Sequence, residues 1–407
     1  MPNIYRTIVT IALTMLAVSC TTSATVVSTL SPLPEARIIR QPKPMNGGRE
    51  DLTSIPKFDP NLGDGQVDLR SRDLTKIDIT DALADLLYAD FDSKTQWPSA
   101  DKMPAGFDWQ KIMELGKDPG LGVRALHSQG ITGRGIGVAI IDQTLLVDHV
   151  EYKDRIQVYE EAEDVKDEAS MHGPAVASIA AGKSVGVAPE ADLYYIATGP
   201  CGAVSEEDYD LSCNAKAIQR IVEINKSLPA DRKIRVLSMS NGWMSNTKGH
   251  AEIMAAVEEA KAAGIFVITV SLEETHGWNN LGLGRNSLSD PNDFQSYEPT
   301  PWLKQYFFEG KLPTDILYVP MDSRTTASPT GKEDYVFYRQ GGMSWAVPYL
   351  AGIYALAAQV KPDITPEEFW ETALKTGKTI QLQHDGKEYE FGVILDPQAL
   401  IDELQSR

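Results

Sequence analysis

Hydrophobic residues beyond Pro119 fall into two kinds of segment that alternate along the chain. Short apolar runs rich in β-branched residues predict buried parallel strands at 137–141, 193–197, 234–239 and 265–270. Longer amphipathic stretches predict helices at 173–181, 214–227, 251–263, 345–360 and 366–376. This alternation predicts an α/β domain at 120–407, a three-layer doubly wound parallel sheet whose ligands lie beyond the carboxyl ends of its strands.

Residues 1–20 have the pattern of a signal peptide. Arg6 precedes the apolar run Thr7–Val18, which as a helix rises only about 18 Å, short of the roughly 30 Å hydrocarbon core of a bilayer. Cys20 follows small residues, as in a bacterial lipobox, although Ala17 stands where Leu is usual. We expect an exported chain that a lipid on Cys20 anchors to the cell membrane. Cleavage nearby without a lipid, giving a secreted chain, and an uncleaved anchor are the alternatives.

Two segments separate the signal peptide from the predicted sheet domain. Residues 21–62 contain Ser, Thr, Pro and Gly without sustained periodicity, which predicts a linker that tethers a domain to the membrane. Weak apolar spacing returns at 63–119, and we interpret this segment as an N-terminal extension docked on the main domain. The sequence leaves open whether the extension is a pro-segment that is removed.

Charge and cysteine usage narrow the class of protein. The 407 residues include 38 Lys and Arg against 57 Asp and Glu, a net charge of −19. No nucleic-acid partner is expected, because binding phosphates requires clustered Lys and Arg. With Cys20 set aside for a lipid, Cys201 and Cys213 can form a disulfide worth about 3 kcal/mol, or remain two thiols. We expect a monomer without a cofactor; a metal site is not identified, and structural calcium stays an open alternative.

Three segments place a reactive side chain at the end of a predicted strand or the start of a predicted helix. Asp142 ends the run 137–141, His172 opens a helix of small residues, and Ser344 follows a Gly-Gly pair. A serine hydroxyl attacks a peptide carbonyl only when an imidazole takes its proton and a carboxylate orients that imidazole. The pattern predicts Ser344 as nucleophile, His172 as general base and Asp142 as the orienting carboxylate.

These segments resemble the subtilisin-like serine peptidases, the subtilases. The chain order Asp, His, Ser matches that family, and the His segment is followed by Gly186-Val-Ala-Pro-Glu190. Residues 342–348, Gly-Met-Ser-Trp-Ala-Val-Pro, are similar to the family pattern Gly-Thr-Ser-Met-Ala-x-Pro. The resemblance runs from Leu126 to Val360. It implies a seven-stranded parallel sheet between helices, a polypeptide substrate and endopeptidase activity.

The sequence departs from the subtilase pattern at the oxyanion donor. In the family a strand similar to 264–270 leads into Gly-Asn, whose amide stabilises the oxyanion, whereas here Glu273 lies near that position. An ionised carboxylate donates no hydrogen bond, and loss of such a donor lowers the turnover of subtilisin about 10²- to 10³-fold. Three substitutes are open: Asn279 or Asn280, Thr275 or His276, and a protonated Glu273.

The segment after the strand 234–239 resembles the site where subtilases bind substrate. Ser240, Asn241 and Gly242 lie where an extended peptide is added through backbone hydrogen bonds. Trp243 stands where a second Gly is common, and it either narrows the adjacent subsite or packs inside the protein. The acidic run 160–168 is expected to be a solvated loop, with calcium binding or attraction of basic substrates as alternatives.

The sequence therefore predicts an exported serine endopeptidase that works through an acyl-enzyme. The alternative is a catalytically impaired protein of the same fold that binds peptides or proteins. An esterase or lipase of another α/β fold is excluded, because it would carry a Gly-x-Ser-x-Gly elbow with Ser ahead of Asp and His, whereas Ser344 comes last.

Overall fold

The computed structural model describes residues 30–48, 51–59, 65–162, 165–199, 201 and 209–406, and the chain from Ser31 onward forms one compact unit. The predicted signal peptide and Cys20 lie outside the described residues. The helices are α1 Leu83–Leu86, α2 Trp109–Lys117, α3 Val123–Ser128, α4 His172–Ala181, α5 Ser212–Ser227, α6 His250–Ala262, α7 Leu272–His276, α8 Pro301–Phe308, α9 Met343–Val360, α10 Pro366–Thr376 and α11 Pro397–Gln405.

The strands are β1 Arg37–Ile38, β2 Val67–Asp68, β3 Ala89–Asp92, β4 Gly137–Asp142, β5 Ile156–Glu161, β6 Asp192–Ala197, β7 Ile234–Met239, β8 Phe266–Thr269, β9 Asn279–Arg285, β10 Tyr297–Pro299, β11 Ile316–Pro320, β12 Arg324–Ala327, β13 Tyr335–Tyr338, β14 Lys378–His384 and β15 Lys387–Ile394. They form three sheets, with strand orders β1-β5-β6-β4-β7-β8, β10-β9-β11-β15-β14 and β12-β13-β3-β2.

Over the described residues the main sheet is parallel throughout and has six strands. The expectation of a single seven-stranded sheet is therefore wrong. Strands β9 and β11 continue the parallel arrangement with each other but belong to the separate five-stranded sheet.

Helices cover both faces of the main sheet, as a three-layer fold requires. Side chains of a strand point alternately to opposite faces, so Val138 and Ile140 of β4 pack in the cluster that contains α4 and α9. Ala139 and Ile141 pack against α5 and α6 on the other face. Helix α9 is long and apolar enough to cross a membrane by composition, but 78% of it is buried inside the fold, where it is the central core helix.

Residues 31–48, which belong to the predicted linker 21–62, contact the rest of the compact unit. Strand β1 pairs in parallel with β5 at the edge of the main sheet. The backbone of Lys43 bonds to Asp167 and Ala169, and the Met45 amide donates to the Pro329 carbonyl.

Residues 65–119, which we call the N-terminal lobe, share a sheet with the rest of the chain. Strand β3 pairs antiparallel with β13, with Phe91 opposite Phe337. Phe337 is buried in the hydrophobic cluster of the lobe, and its ring stacks on that of Phe91 with centroids 5.1 Å apart. The lobe is thus docked through both backbone and side-chain contacts.

Helix α2 of the lobe contacts β12 at Gly116, where a side chain does not fit. A Cβ atom there would lie 2.8 Å from the Thr325 backbone nitrogen and 3.0 Å from a ring carbon of Phe337. Both distances are shorter than normal contacts, so the two elements must separate to admit a methyl group.

We expect Gly116→Ala to lower the free energy of unfolding, measured by urea titration, by up to about 2 kcal/mol. Overpacking costs about 1–3 kcal/mol, and the better helix propensity of Ala offsets about 1 kcal/mol of that cost. Gln110→Ala, on the exposed face of the same helix, is the control. Equal or greater stability of Gly116→Ala would contradict the close packing.

Candidate active site

Asp142 is the last residue of β4 and lies where the central strands of the main sheet end. Its side chain is 5% exposed. Its backbone carbonyl accepts a hydrogen bond from Thr198, directly after β6, and its Oδ1 accepts one from the Gln143 amide at 2.7 Å. The carboxylate is therefore held in one orientation at the carboxyl edge of the sheet.

His172 is the first residue of α4, and its ring faces Asp142. The distance from Nδ1 to Oδ1 of Asp142 is 2.7 Å. Because a carboxylate only accepts hydrogen bonds, the neutral imidazole carries its proton on Nδ1, which leaves Nε2 as the acceptor nitrogen. Burial alone would lower the pKa of His172, but the charge of Asp142 and the hydrogen bond to it raise that pKa above 6.5.

Ser344 is the second residue of α9, and a sharp glycine turn delivers it. Gly342 has φ +61° and ψ 172°, a conformation that L side chains rarely adopt. A Cβ atom on Gly341 would lie 2.6 Å from the carbonyl oxygen of Met321. The Gly341 amide donates to the buried carboxylate of Asp322 at 3.2 Å. Contacts with Met321 and Asp322 therefore fix the position of this turn.

The side chains of Ser344 and Ser240 exchange hydrogen bonds with each other's backbone. Ser344 Oγ donates to the Ser240 carbonyl at 3.2 Å, and Ser240 Oγ donates to the Ser344 carbonyl at 2.9 Å. The next residue, Trp345, packs against the ring of His172 with centroids 5.4 Å apart. In this arrangement the hydrogen bond of the Ser344 hydroxyl goes to Ser240 and not to His172.

A cleft of about 420 Å³ opens beyond the ends of β4, β6 and β7. Its lining includes both members of the Asp142–His172 pair. Tyr209 also lines the cleft, and its hydroxyl accepts hydrogen bonds from the side-chain amides of Asn214 at 3.4 Å and Asn241 at 3.1 Å. Tyr209 and Asn214 were not predicted as cleft residues, because they belong to no motif. The sequence indicates only that they lie close to the start of a helix, α5.

Of the predicted substrate-binding residues, Ser240 and Asn241 line this cleft and Gly242 is exposed directly beyond them. The Asn241 carbonyl accepts from the Val270 amide, which continues the pairing of β7 with β8. Trp243 is 6% exposed and lies in the hydrophobic cluster of α5 and α6. Of its two interpretations, the structure therefore favours packing over a role in a subsite.

The structure does not bring Asn279 or Asn280 to Ser344, so the prediction that either amide is the oxyanion donor is wrong. Both residues begin β9 and pair with the first residues of the parallel strand β11. The turn before Ser344 contacts Met321 and Asp322, which follow the last residue of β11. The two amides thus lie at the opposite end of these strands.

The structure does not favour the other two substitutes for the oxyanion donor either. The Thr275 hydroxyl bonds to backbone carbonyls within α7, and the Thr275 carbonyl accepts from Lys261 at the end of α6. The ring of His276 packs against Phe266 and lines a cavity at the amino ends of β7 and β8. Glu273 is exposed, so no apolar pocket surrounds its carboxyl group.

The remaining predicted features have structural partners. Cys201 and Cys213 form a disulfide with an S–S distance of 2.05 Å. In the acidic run, Glu160 pairs with Arg220 and Glu161 with Arg40, while residues 163 and 164 lie outside the described part. No group of three or more His, Cys, Asp or Glu side chains in the described ranges is placed to hold a metal ion.

Comparison with solved structures supports the subtilisin-like α/β fold expected from the sequence. A protease of Pseudoalteromonas arctica superposes with a TM-score of 0.50 at 18% identity, over 71% of this chain and 95% of that one. The prenylagaramide maturation protease PagA superposes with a TM-score of 0.48 at 16% identity, over 70% of this chain and 99% of that one.

Sequence comparison adds two matches. Residues 133–274 match the model of the Subtilase family. The serine protease AprX of Bacillus subtilis (strain 168) is 26% identical over 308 residues, which cover 66% of this chain and 66% of AprX. By these two matches the chain is similar to the Subtilase family over residues 133–274 and to one serine protease over 308 residues.

The charge of Asp142 and the hydrogen bond to it together outweigh burial at His172, so removing the charge should lower the pKa of His172. We expect an NMR titration to give a value above 6.5 in the wild type and a lower one in Asp142→Asn, where the ring stays buried. Asp148→Asn, whose carboxylate pairs with Lys332 at 2.6 Å, is the matched control. An unchanged pKa in Asp142→Asn would show that the two side chains do not interact.

Proposed function

We propose that this protein is a serine endopeptidase in which Ser344 is the nucleophile, His172 the general base and Asp142 the orienting carboxylate. The observation that carries the proposal is the 2.7 Å hydrogen bond between Asp142 and His172 in a cleft at the carboxyl edge of the sheet. The similarity to AprX, a serine protease by name, supports it.

In the proposed reaction His172 first accepts a proton and later gives the same proton to the leaving group. Nε2 takes the proton of Ser344 while Oγ forms a bond to the carbonyl carbon of the substrate, and Asp142 stabilises the resulting imidazolium. The C–N bond then breaks as His172 returns that proton to the leaving amine. Water, activated in the same way, hydrolyses the acyl-enzyme and releases the carboxylic acid.

This mechanism requires the Ser344 hydroxyl to move its hydrogen bond from the Ser240 carbonyl to His172. Catalytic hydrogen bonds often form only when substrate binds, so the resting arrangement is compatible with the role. Until then the Ser240 carbonyl, whose residue lines the cleft, accepts the hydrogen bond of the hydroxyl.

Backbone groups at the start of α9 are the proposed oxyanion donors. The first four amides of a helix have no intrahelical acceptor, and the amino end of an 18-residue helix carries partial positive charge. The Ser344 amide lies directly beside the bond that forms, so it can donate to the developing oxyanion. The side-chain amides of Asn279 and Asn280 lie at the far end of β9 from Ser344, which predicts slower turnover than in a subtilase that has such a donor in place.

The proposed substrate is an extended polypeptide that lies between the segments after β6 and β7. Thr198 and Gly199 line one side of the cleft, and Ser240 and Asn241 line the other. An added strand would bond to these backbones and place one carbonyl above Ser344.

We further propose that the chain is exported and held at the cell membrane by a lipid on Cys20. The apolar run of residues 7–18 followed by Cys20 supports this location, as does the disulfide between Cys201 and Cys213, which is typical of oxidising compartments.

A fluorophosphonate probe tests the proposed nucleophile. Wild type should be labelled on Ser344 and Ser344→Ala should not, while Asp142→Asn should react far more slowly at neutral pH, since an Asp to Asn change in such a triad lowers kcat about 10⁴-fold. The matched control is Asp148→Asn, which should react at nearly the wild-type rate.

Two results would contradict the proposal. Failure of the folded wild type to label would favour the impaired peptide-binding alternative. Equal losses in Asp142→Asn and Asp148→Asn would show that Asp142 is not the orienting carboxylate.

The lipid anchor is tested separately. When produced in a bacterium that lipidates exported proteins, the wild type should incorporate radioactive palmitate and fractionate with membranes, whereas Cys20→Ser should do neither. Globomycin should cause the unprocessed precursor to accumulate. Normal maturation in the presence of globomycin and no palmitate incorporation in the wild type would contradict the proposed lipid anchor.

A further inference from the structure

The strand that leads to Ser344 is paired with the N-terminal lobe. Strand β13 ends at Tyr338, six residues before Ser344. It pairs with β3 of the lobe on one side and with β12 on the other. The Ser93 amide donates to the Tyr335 carbonyl at 2.9 Å, and the Tyr335 amide donates to Ser93 Oγ at 3.0 Å. The lobe therefore supplies one of the two neighbours that hold this strand.

Arg339, the residue after β13, is enclosed by lobe residues. Its backbone amide donates to Asp90 Oδ1 at 2.8 Å, and its Nε donates to the Leu87 carbonyl at 3.1 Å. Its guanidinium lies 5.0 Å from the centroid of the Tyr88 ring. The side chain is only 7% exposed, so these contacts fix both its backbone and its charged group.

Arg339 in turn connects the lobe to the turn before Ser344. Its Nη1 lies 3.9 Å from Oδ2 of Asp322, whose side chain is fully buried. Oδ1 of the same carboxylate accepts from the Gly341 amide, and Oδ2 accepts from the Thr300 hydroxyl at 2.7 Å. The carboxylate that accepts from the Gly341 amide thus lies beside a buried guanidinium that the lobe contacts.

A second line of contacts runs from the lobe to His172. Arg70 donates to the Tyr338 hydroxyl at 3.3 Å, and Asp68 binds the Arg70 guanidinium through both its oxygens. The ring of Tyr338 contacts that of Trp345 at 5.3 Å, and Trp345 contacts the ring of His172. The lobe therefore supports both the nucleophile segment and the imidazole.

Separation of the lobe would expose groups that the rest of the chain does not satisfy. The Phe337 side chain, 1% exposed, packs in the lobe's own cluster. The Arg339 amide and guanidinium would lose the acceptors at Asp90 and Leu87 and would be left to water. A segment that is removed on maturation would leave this surface on the active enzyme.

We propose that the N-terminal lobe, residues 65–119, is retained as a permanent part of the active enzyme and positions the turn before Ser344, with Asp90 and Arg339 as positioning residues. This inference rests on the proposed function. It assigns the segment a supporting role instead of that of a pro-segment that is discarded.

The first experiment determines whether the active molecule contains the lobe. Full-length protein is exported from its host, labelled with a biotinylated fluorophosphonate, captured under native conditions and mapped by mass spectrometry. We expect peptides from 65–119 in equal amount to the labelled Ser344 peptide. Label on molecules that lack the lobe would overturn the inference and leave the proposed function intact. Absence of label would refute the proposed function and this inference with it.

The second experiment tests positioning within the intact chain. Asp90→Ala leaves the Arg339 amide without an acceptor, so kcat should fall roughly tenfold with KM unchanged within about twofold, because small displacements of a nucleophile cost rate. Asp90→Asn should restore kcat, since the amide oxygen still accepts. Asp78→Ala is the control, because that carboxylate is exposed and bonds only within its own turn.

All variants are assayed below the temperature at which circular dichroism detects unfolding, which separates lost positioning from lost fold. If Asp90→Ala retains kcat within about twofold of Asp78→Ala, or if Asp90→Asn fails to restore it, the positioning role is refuted.

Discussion

Parallel pairing of β6, β4 and β7 in register is the constraint from which the site follows. Asp142 pairs with Ala197, and Ile140 pairs with Ser238, so the three strands end at one edge. The residues that directly follow these three strands therefore leave the sheet next to one another. Thr198 and Ser240 do so around Asp142, and the cleft between them is the space where chains leave the sheet in different directions.

Two helices complete the site by beginning at this edge. Helix α4 starts with His172, whose contact with Asp142 is strong enough to overcome the burial that would otherwise disfavour a charged imidazole. Helix α9 begins next to Ser344. Most of its apolar side chains are buried in the hydrophobic core, and this packing fixes the position of its amino end. A buried helix and a buried strand thus set positions that loops alone would hold less precisely.

Most of these strands and helices could be predicted from the sequence, because buried segments show a regular spacing of hydrophobic residues. The run 234–239 was predicted to the residue, as was helix 366–376, where Thr365 caps the first turn and Pro366 occupies its first position. The course of the chain after β8 could not be predicted. The short helix α7 carries it back across the sheet, so Asn279 begins the next strand at the far end. Strand β1 could not be predicted either, because a strand of two residues shows no hydrophobic periodicity.

The central claim is that Asp142, His172 and Ser344 act on one substrate carbon. A crystal structure of the protein after reaction with diisopropyl fluorophosphate tests it most directly, because the bound phosphoryl group occupies the place of the tetrahedral intermediate. We expect phosphorus on Ser344 Oγ, His172 Nε2 within about 3.2 Å of that oxygen or of a phosphoryl oxygen, and the Asp142 contact unchanged. A phosphorylated Ser344 with the imidazole turned away, beyond hydrogen-bond reach, would contradict it.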